Sequence, residues 1–241
     1  MDWSLVVFSV VSHGQSALVN LLFDDFRRLK FNEVQIVLTL NLPEQVSKYN
    51  LHGLNVKILT NHQQRGFGEN HNRALLGSNK KYFFIINPDI RLEQLDVPTL
   101  LSSFADPGVA AVGPRVINPL GSVDESARRF PVFLKLIKNN IFGSIEADYN
   151  ITDHPMVVDW LAGMFVVYRG CSYKSIGGFD QRRFFMYYED VDICQRLYKI
   201  GQFVMLDPRV SVIHNAQRAS HRNIRHFTWH VSSALRYFLG V

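Results

Sequence analysis

An α/β fold, with a mostly parallel sheet flanked by helices, is predicted by three features of this sequence. Strand-like apolar runs alternate with helix-like periodicity through the first half, the order that builds parallel sheets. The run Tyr82–Ile86 is apolar throughout, as a strand buried on both faces requires. A chain of 241 residues is long enough to close one sizeable core.

In chain order, Leu5–Val11 reads as the first strand, Ser16–Leu29 as a helix, Val34–Leu38 and Val56–Leu59 as the next strands, and Asn70–Leu76 as a short helix before Tyr82–Ile86. Val109–Val112 reads as a short strand, with Pro114 and Pro119 turning the chain into a loop or edge excursion after it. Val157–Tyr168 reads as one long strand broken near Gly163, followed by a helical turn. From Asp190 to Ile200, Val191, Cys194, Leu197 and Tyr198 form an apolar stripe opposite Gln195, Arg196 and Lys199, and Gly201 supplies the stop. Phe203–Leu206 and Val210–Ile213 follow as two short strands. The final segment, Arg218 to Phe238, is amphipathic: Ile224, Phe227, Val231, Leu235 and Phe238 form its apolar stripe. Arg218, Arg222, Arg225, His226, His230 and Arg236 form its basic remainder. Such a helix either packs on the core with its basic face solvated or lies on an anionic membrane surface.

Composition narrows the class. Apolar residues make up 47% and charged residues 20%, the balance of a folded soluble domain. No apolar run approaches the roughly 18 residues of a membrane span, and Leu5–Val11 lacks the basic start and cleavage site of a signal peptide. A cytoplasmic protein is the expectation. Cys171 and Cys194 are too few for a disulfide framework and lack metal-ligand spacing. A net charge of +5 and a pI near 9.2 favour anionic partners. A nucleic-acid partner is not expected, because the acids clustered near Asp190 would repel phosphate.

Three clusters carry chemistry. Glu189, Asp190 and Asp192 stand at the mouth of a predicted helix behind the ring-rich run Phe184–Tyr188. Acids there either answer the helix dipole or form a site. Arg65–Asn72 contains the glycine turn Gly66-Phe67-Gly68, which opens a helix after a strand; such turns bring backbone N–H groups to an anionic or sugar ligand, although the third position of a dinucleotide fingerprint is filled by His71. Asn87-Pro88-Asp89 follows a buried strand, at the end where open α/β sheets bind ligands, and Asp89 there suits a divalent cation. His214, just past Val210–Ile213, is a candidate nitrogen ligand for the same ion.

The order of these motifs, with Asp159-Trp160-Leu161-Ala162-Gly163, Gly177-Gly178-Phe179-Asp180 and Ser126-Ala127-Arg128-Arg129-Phe130-Pro131 among them, resembles the family 2 glycosyltransferases of GT-A fold. The likeness is to bacterial rhamnosyltransferases that build O-antigen and related polysaccharides. It implies an inverting transfer from a nucleotide-sugar, with Asp190 as catalytic base, Glu189 supporting it, and Asp89 and His214 binding Mn²⁺ or Mg²⁺. Ser12, Gly66, Phe67, Gly68, Asn72, Asn87, Arg128, Arg129, Trp160, Gly163 and Asp192 are the implied substrate-binding residues.

The resemblance also implies a polyprenyl-diphosphate-linked saccharide acceptor, peripheral attachment at the cytoplasmic face of the bacterial inner membrane, and room for a homodimer. It divides the chain into a transferase domain over 1–217, with a nucleotide-sugar half (1–115) and an acceptor half (116–217), and a basic amphipathic helix over 218–241. Two departures bear on the donor. After the second strand the chain reads Leu38-Thr39-Leu40-Asn41-Leu42-Pro43-Glu44, without the carboxylate many relatives place there for the base or ribose. Asn87 stands where many relatives carry an acid that touches ribose hydroxyls, which suits a dTDP-sugar such as dTDP-rhamnose. UDP-sugar transfer of galactose, galactofuranose or glucose, and a non-catalytic sugar-nucleotide-binding homologue, are the alternatives.

Overall fold

The computed structural model describes residues 1–132, 148–215 and 224–240. Four parallel strands form the first half of the main sheet: β1 (Val6–Ser12), β2 (Gln35–Leu40), β3 (Asn55–Thr60) and β4 (Tyr82–Ile86), in the order β3-β2-β1-β4. Every residue of β1 is buried, because helices cover both sides of it. Val6, Phe8 and Val10 pack under α1 (Ser16–Arg28) through Leu22, Phe23 and Phe26. Val7, Phe83 and Ile85 face the other layer, with Leu75 of α2 (Phe67–Leu75) and Tyr173 of α4 (Gly170–Ser175). The α1 register thus alternates with the sheet pleat: one set of β1 side chains faces each helix layer.

Beyond β4 the sheet becomes mixed. The short β5 (Ile90–Arg91) follows the Asn87–Asp89 turn, and α3 (Val97–Ser102) leads to β6 (Val109–Ile117). The strands β7 (Ala127–Arg128), β8 (Met156–Val158), β9 (Trp160–Leu161) and β10 (Phe165–Arg169) precede α4, α5 (Glu189–Lys199), β11 (Phe203–His214) and α6 (Ile224–Leu239). β10 runs antiparallel between β4 and β6, and β11 pairs parallel with β6 and antiparallel with β5. The β7–β9 ribbon stands outside the main sheet.

Three expectations are corrected. Pro114 does not turn the chain out of the sheet: β6 continues to Ile117, because Pro114 lies opposite Asp207 where the β6–β11 ladder shifts register, so its missing N–H breaks no regular pair. The expected long strand Val157–Tyr168 is three strands with separate partners, interrupted at Asp159 as well as around Gly163. The two short strands after Gly201 are one strand with an irregularity between Asp207 and Ser211. The boundary expected between residues 115 and 116 falls inside β6, so the two halves share one sheet. The boundary at 217/218, and Arg218 and Arg222 beyond it, lie outside the described residues.

Candidate active site

The carboxyl ends of the parallel strands gather the chemistry. β1 lies between β2 and β4, so the chain order reverses there and leaves a crevice at the strand ends, the usual ligand position in open α/β sheets. The Asn87 N–H donates to the Met164 carbonyl at 2.9 Å. One residue earlier on that turn, the Gly163 N–H donates to Asp190 Oδ2 at 3.3 Å. The Asn87–Asp89 turn and Asp190 therefore flank one short connection between β9 and β10. The Phe67 ring packs where a Gly163 side chain would stand, with its nearest atom 2.9 Å from that position, and braces the turn from behind.

Two left-handed tyrosines aim the acids. Tyr187 (φ 71°) and Tyr188 (φ 65°) both sit in the αL region immediately before α5. Each such placement costs a non-glycine residue about 1–3 kcal/mol and persists where packing over-determines it. The clamp is α6: the Ser233 hydroxyl donates to the Met186 carbonyl at 2.8 Å, and the Tyr188 ring lies against those of His230, Tyr237 and Phe238. Tyr187 shares a 2.8 Å hydrogen bond with His226 Nδ1. The turn delivers Asp190 to the Gly163 N–H and Glu189 into the interior.

Burial pushes the Asp190 carboxyl above the usual Asp range, opposed by donation from the Val191 and Gly163 N–H groups and by the Arg128 charge. Glu189 is 6% exposed, and its Oε2 is buried without a hydrogen-bond partner. Burial and then the Asp190 charge push its carboxyl well above the usual range, so two adjacent carboxyls compete for ionisation. Asp192 behaves differently. Its oxygens meet Arg183 Nη1 at 3.1 Å and Arg196 Nε at 2.7 Å, and the side chain is 4% exposed. At Asp192, expected among the substrate-binding residues, the charge ties α5 to the preceding loop.

Asp89 and His214 meet, as the sequence predicts. His214 Nε2 lies 3.5 Å from Asp89 Oδ2, brought there by the pairing of His214 with Ile90. Asp89 Oδ1 is buried and has no hydrogen-bond partner. A third acid, not identified from the sequence, completes the corner: Asp124 Oδ2 lies 3.2 Å from His214 Nδ1. Burial lowers the His214 pKa, but the two carboxylates outweigh it and hold the imidazole above its ordinary value. Among the described residues no group of three or more His, Cys, Asp or Glu converges on one ion position. The protein would thus offer a cation Asp89 and His214 and leave its other positions to the ligand.

The glycine turn is used for packing. A side-chain carbon at Gly66 would lie 2.4 Å from the Phe185 carbonyl oxygen, and at Gly68 2.5 Å from Phe179 Cβ. The Phe67 N–H already donates to that Phe185 carbonyl at 2.9 Å. Asn72 is spent in the same seam: its amide donates to the Phe179 carbonyl at 2.8 Å, and its carbonyl accepts from Phe179 N–H at 2.9 Å and Tyr173 O–H at 2.7 Å. The start of α2, with Gly66, Phe67, Gly68 and Asn72, thus faces protein along this seam.

On the donor side, Ser12 is fully buried and its hydroxyl accepts from Tyr49 at 2.8 Å and donates to Glu44 Oε2 at 3.2 Å. Glu44 also accepts from the Gly14 N–H at 2.9 Å. Four residues past β2, Glu44 thus folds its carboxylate back to the end of β1.

On the opposite side, β7 holds exposed Arg128 and β9 holds Trp160, paired across the ribbon. Arg128 is ion-paired to Glu125 at 2.8 Å and Arg129 Nε donates to the Asp148 carbonyl at 3.3 Å. The Trp160 indole N–H donates to the Arg129 carbonyl at 2.9 Å.

The helix α6 packs inward through Phe238 and its aromatic neighbours and turns most of the predicted apolar stripe outward. Its Tyr237, Phe238 and Ala234 join Phe184, Tyr188 and Val191 in a small core. Phe227, Val231, Leu235 and Leu239 face outward, at 70%, 40%, 53% and 70% exposure. Aromatic and imidazole side chains win the inner face because their polar edges find partners there, such as Gln195 Nε2 on the Tyr237 hydroxyl at 3.1 Å.

No family model matches the chain. Over 188 residues it is 31% identical to rhamnosyltransferase WbbL of Escherichia coli (strain K12), covering 71% of this chain and 69% of that one. It is 26% identical to an N-acetylglucosaminyl-diphospho-decaprenol L-rhamnosyltransferase of Mycobacterium tuberculosis, covering 70% of this chain but 62% of that longer protein. The fold is shared by the mannosyltransferase PcManGT from Pyrobaculum calidifontis, solved with GDP-Man and Mn²⁺, at TM-score 0.63 and 16% identity, covering 96% of this chain and 64% of that one. With this mixed sheet and this likeness to a rhamnosyltransferase over two thirds of both chains, the protein belongs to the family 2 glycosyltransferases of GT-A fold.

Proposed function

We propose that this glycosyltransferase moves L-rhamnose from dTDP-rhamnose to a GlcNAc-diphospho-polyprenyl acceptor, with inversion, during assembly of a surface polysaccharide such as O-antigen. The observation that carries the reading is the Asp190 carboxylate, raised by burial and fixed by the Gly163 N–H beside the Asn87–Asp89 turn. A carboxylate of raised basicity suits proton removal from a hydroxyl. The acceptor oxygen forms its bond to the anomeric carbon as the bond from that carbon to the diphosphate oxygen breaks. The proton passes to Asp190, and the electron pair leaves with the diphosphate.

The remaining residues divide the work. Asp89 and His214 would hold a divalent cation, since the orphaned Asp89 Oδ1 offers it a buried anionic oxygen. When bound, such a cation neutralises charge on the departing diphosphate. An imidazole ligand favours Mn²⁺ over Mg²⁺. Glu44, Ser12 and Asn87 line the donor end, where Asn87 in place of an acid suits a deoxyribose with one hydroxyl fewer. Arg128 and Arg129 supply forked donors for diphosphate oxygens.

Attachment to the cytoplasmic face of the inner membrane is part of the same reading. Among the described residues no helix is long and apolar enough to cross a membrane. The outward stripe of α6 belongs to a stretch that carries Arg218, Arg222, Arg225 and Arg236 and no acid after Asp207. Apolar residues flanked by arginine suit an anionic lipid surface, where a lipid-linked acceptor would be met.

A donor panel with and without Mn²⁺ tests the function. Label is expected to pass from dTDP-rhamnose to a GlcNAc-diphospho-lipid, and Asp190→Asn is expected to slow it by about 10²–10⁴-fold. Preferred use of a UDP-sugar would replace the donor. Transfer untouched by Asp190→Asn would remove the base.

A further inference from the structure

We propose that Asp124 is a positioning residue for the cation corner: it receives the Nδ1–H of His214 and so leaves the Nε2 lone pair facing Asp89. The inference rests on the reading that Asp89 and His214 hold a divalent cation. A neutral imidazole has one N–H and one lone pair, and only the nitrogen with the lone pair can ligate. His214 stands between two carboxylates, with Nε2 3.5 Å from Asp89 Oδ2 and Nδ1 3.2 Å from Asp124 Oδ2. Without an acceptor at Nδ1, the ring is free to donate from Nε2 to Asp89, which would close the corner with a hydrogen bond in the place of an ion.

The sheet holds the acceptor where it is needed. The Asp124 N–H donates to the Val116 carbonyl at 2.9 Å, and its own carbonyl accepts from the Ser126 N–H at 2.8 Å. One residue earlier, Val123 bridges to Ile117. Val116 and Ile117 are paired with Val212 and Ile213 of β11, immediately before His214. Asp124 and His214 therefore hang from neighbouring positions of one ladder, and their contact does not depend on a long free side chain. Asp124 is the more exposed member, at 33% against 15% for His214 and 17% for Asp89. That asymmetry fits a group set behind the ligand.

Carboxylates that orient a ligating imidazole change metal affinity by about 10–100-fold when removed. The test titrates Mn²⁺ into the full chain in the presence of dTDP and follows free Mn²⁺ by electron paramagnetic resonance, with a protein-free titration as background. Asp124→Ala is expected to weaken Mn²⁺ binding about 10–100-fold. Asp124→Asn, which keeps an acceptor oxygen but no charge, is expected to weaken it less. In transfer assays, both variants are expected to need more Mn²⁺ for half-maximal rate and to recover the rate at saturating Mn²⁺. Circular dichroism and melting temperature check that each is folded, and Asp124→Asn decides the matter if Asp124→Ala does not fold. Mn²⁺ affinity equal to that of the parent in a folded variant overturns the role of Asp124 and leaves the cation reading standing. A parent protein that takes up no Mn²⁺ beyond the dTDP background overturns both.

Discussion

The seam between α2 and the Gly178–Phe185 segment and the rim at the ends of β4, β10 and β11 are built from the same kinds of residue, yet they do opposite things. In the seam the side-chain oxygens and amides are spent, with only His71 Nε2 among the α2 groups left buried and unpaired: Asn72 satisfies Phe179 and Tyr173, and Asp192 answers Arg183 and Arg196. At the rim, Asp89 Oδ1 and Glu189 Oε2 are buried with none, and the Asp190 carboxyl is raised. Buried polar groups are ordinarily paired, so carboxylate capacity left over at the ends of strands is what the proposed site draws on. Motif residues divide along that line: some build the wall, and others present chemistry to what enters.

Asn72→Ala tests the division with the largest effect. It strands the Tyr173 O–H and the Phe179 N–H, each buried, at about 1–3 kcal/mol apiece. For a chain of this size each kcal/mol lowers the melting temperature by roughly 2–4 °C. Calorimetry is expected to show that loss, while transfer per folded molecule, assayed well below the transition, stays near the parent value. Loss of transfer as deep as that of Asp190→Asn, with an unchanged melt, would move the seam into the site. Gly178→Ala belongs to the same class, because Gly178 has φ +69° and an added carbon would lie 2.2 Å from Asn72 Oδ1.

What the sequence shows and hides follows the same physics. The β4 strand Tyr82–Ile86 and the acid pair at the start of α5 are local patterns, and both stand where the residues predict. The meeting of Asp89 with His214 was readable because each follows a strand at the same sheet end. Glu44 and Asp124 were not, since each reaches its partner through a loop whose path no periodicity records. Nothing in Tyr187-Tyr188 announces a left-handed pair, because tyrosine has no preference for that region. The conformation is imposed by α6 from outside the segment. The glycine turn is ambiguous in the sequence for a related reason: close approach of protein and close approach of ligand ask for the same residue.

A change of pH sharpens the contrast between the two acids. The folded-state pKa of Glu189 is raised, so the stability tied to its neutral form is present at acid pH and lost as pH rises through the shifted value. Glu189→Gln removes that loss, and its melting temperature relative to the parent is expected to climb from pH 4.5 upward. For Asp190 the raised pKa appears in the rate, because the base must be ionised. The acid limb of kcat/KM is expected above 3.8, the ordinary Asp value. A limb at or below 3.8, with an unmoved Glu189→Gln profile, would mean that the pair is solvated and that burial does not set its chemistry.

The smallest expected effect concerns the outer face of α6, which carries the division into a third region. Its inner face clamps the strained turn at Tyr187 and Tyr188, and its outer face leaves Phe227, Val231, Leu235 and Leu239 in solvent. Burying one leucine is worth about 1.5–3 kcal/mol, so Leu235→Asp is expected to weaken association with phosphatidylglycerol vesicles by about tenfold or more in sedimentation. Salt is expected to release the parent protein in part, because the arginines contribute through a screened attraction. Transfer to a short-chain water-soluble acceptor is expected to stay unchanged, since Leu235 touches neither acid. A variant that loses soluble transfer as well would show that the outer face holds the catalytic turn in shape. A parent protein that ignores anionic vesicles at low salt would leave that face to a protein partner and remove the membrane from the proposed function.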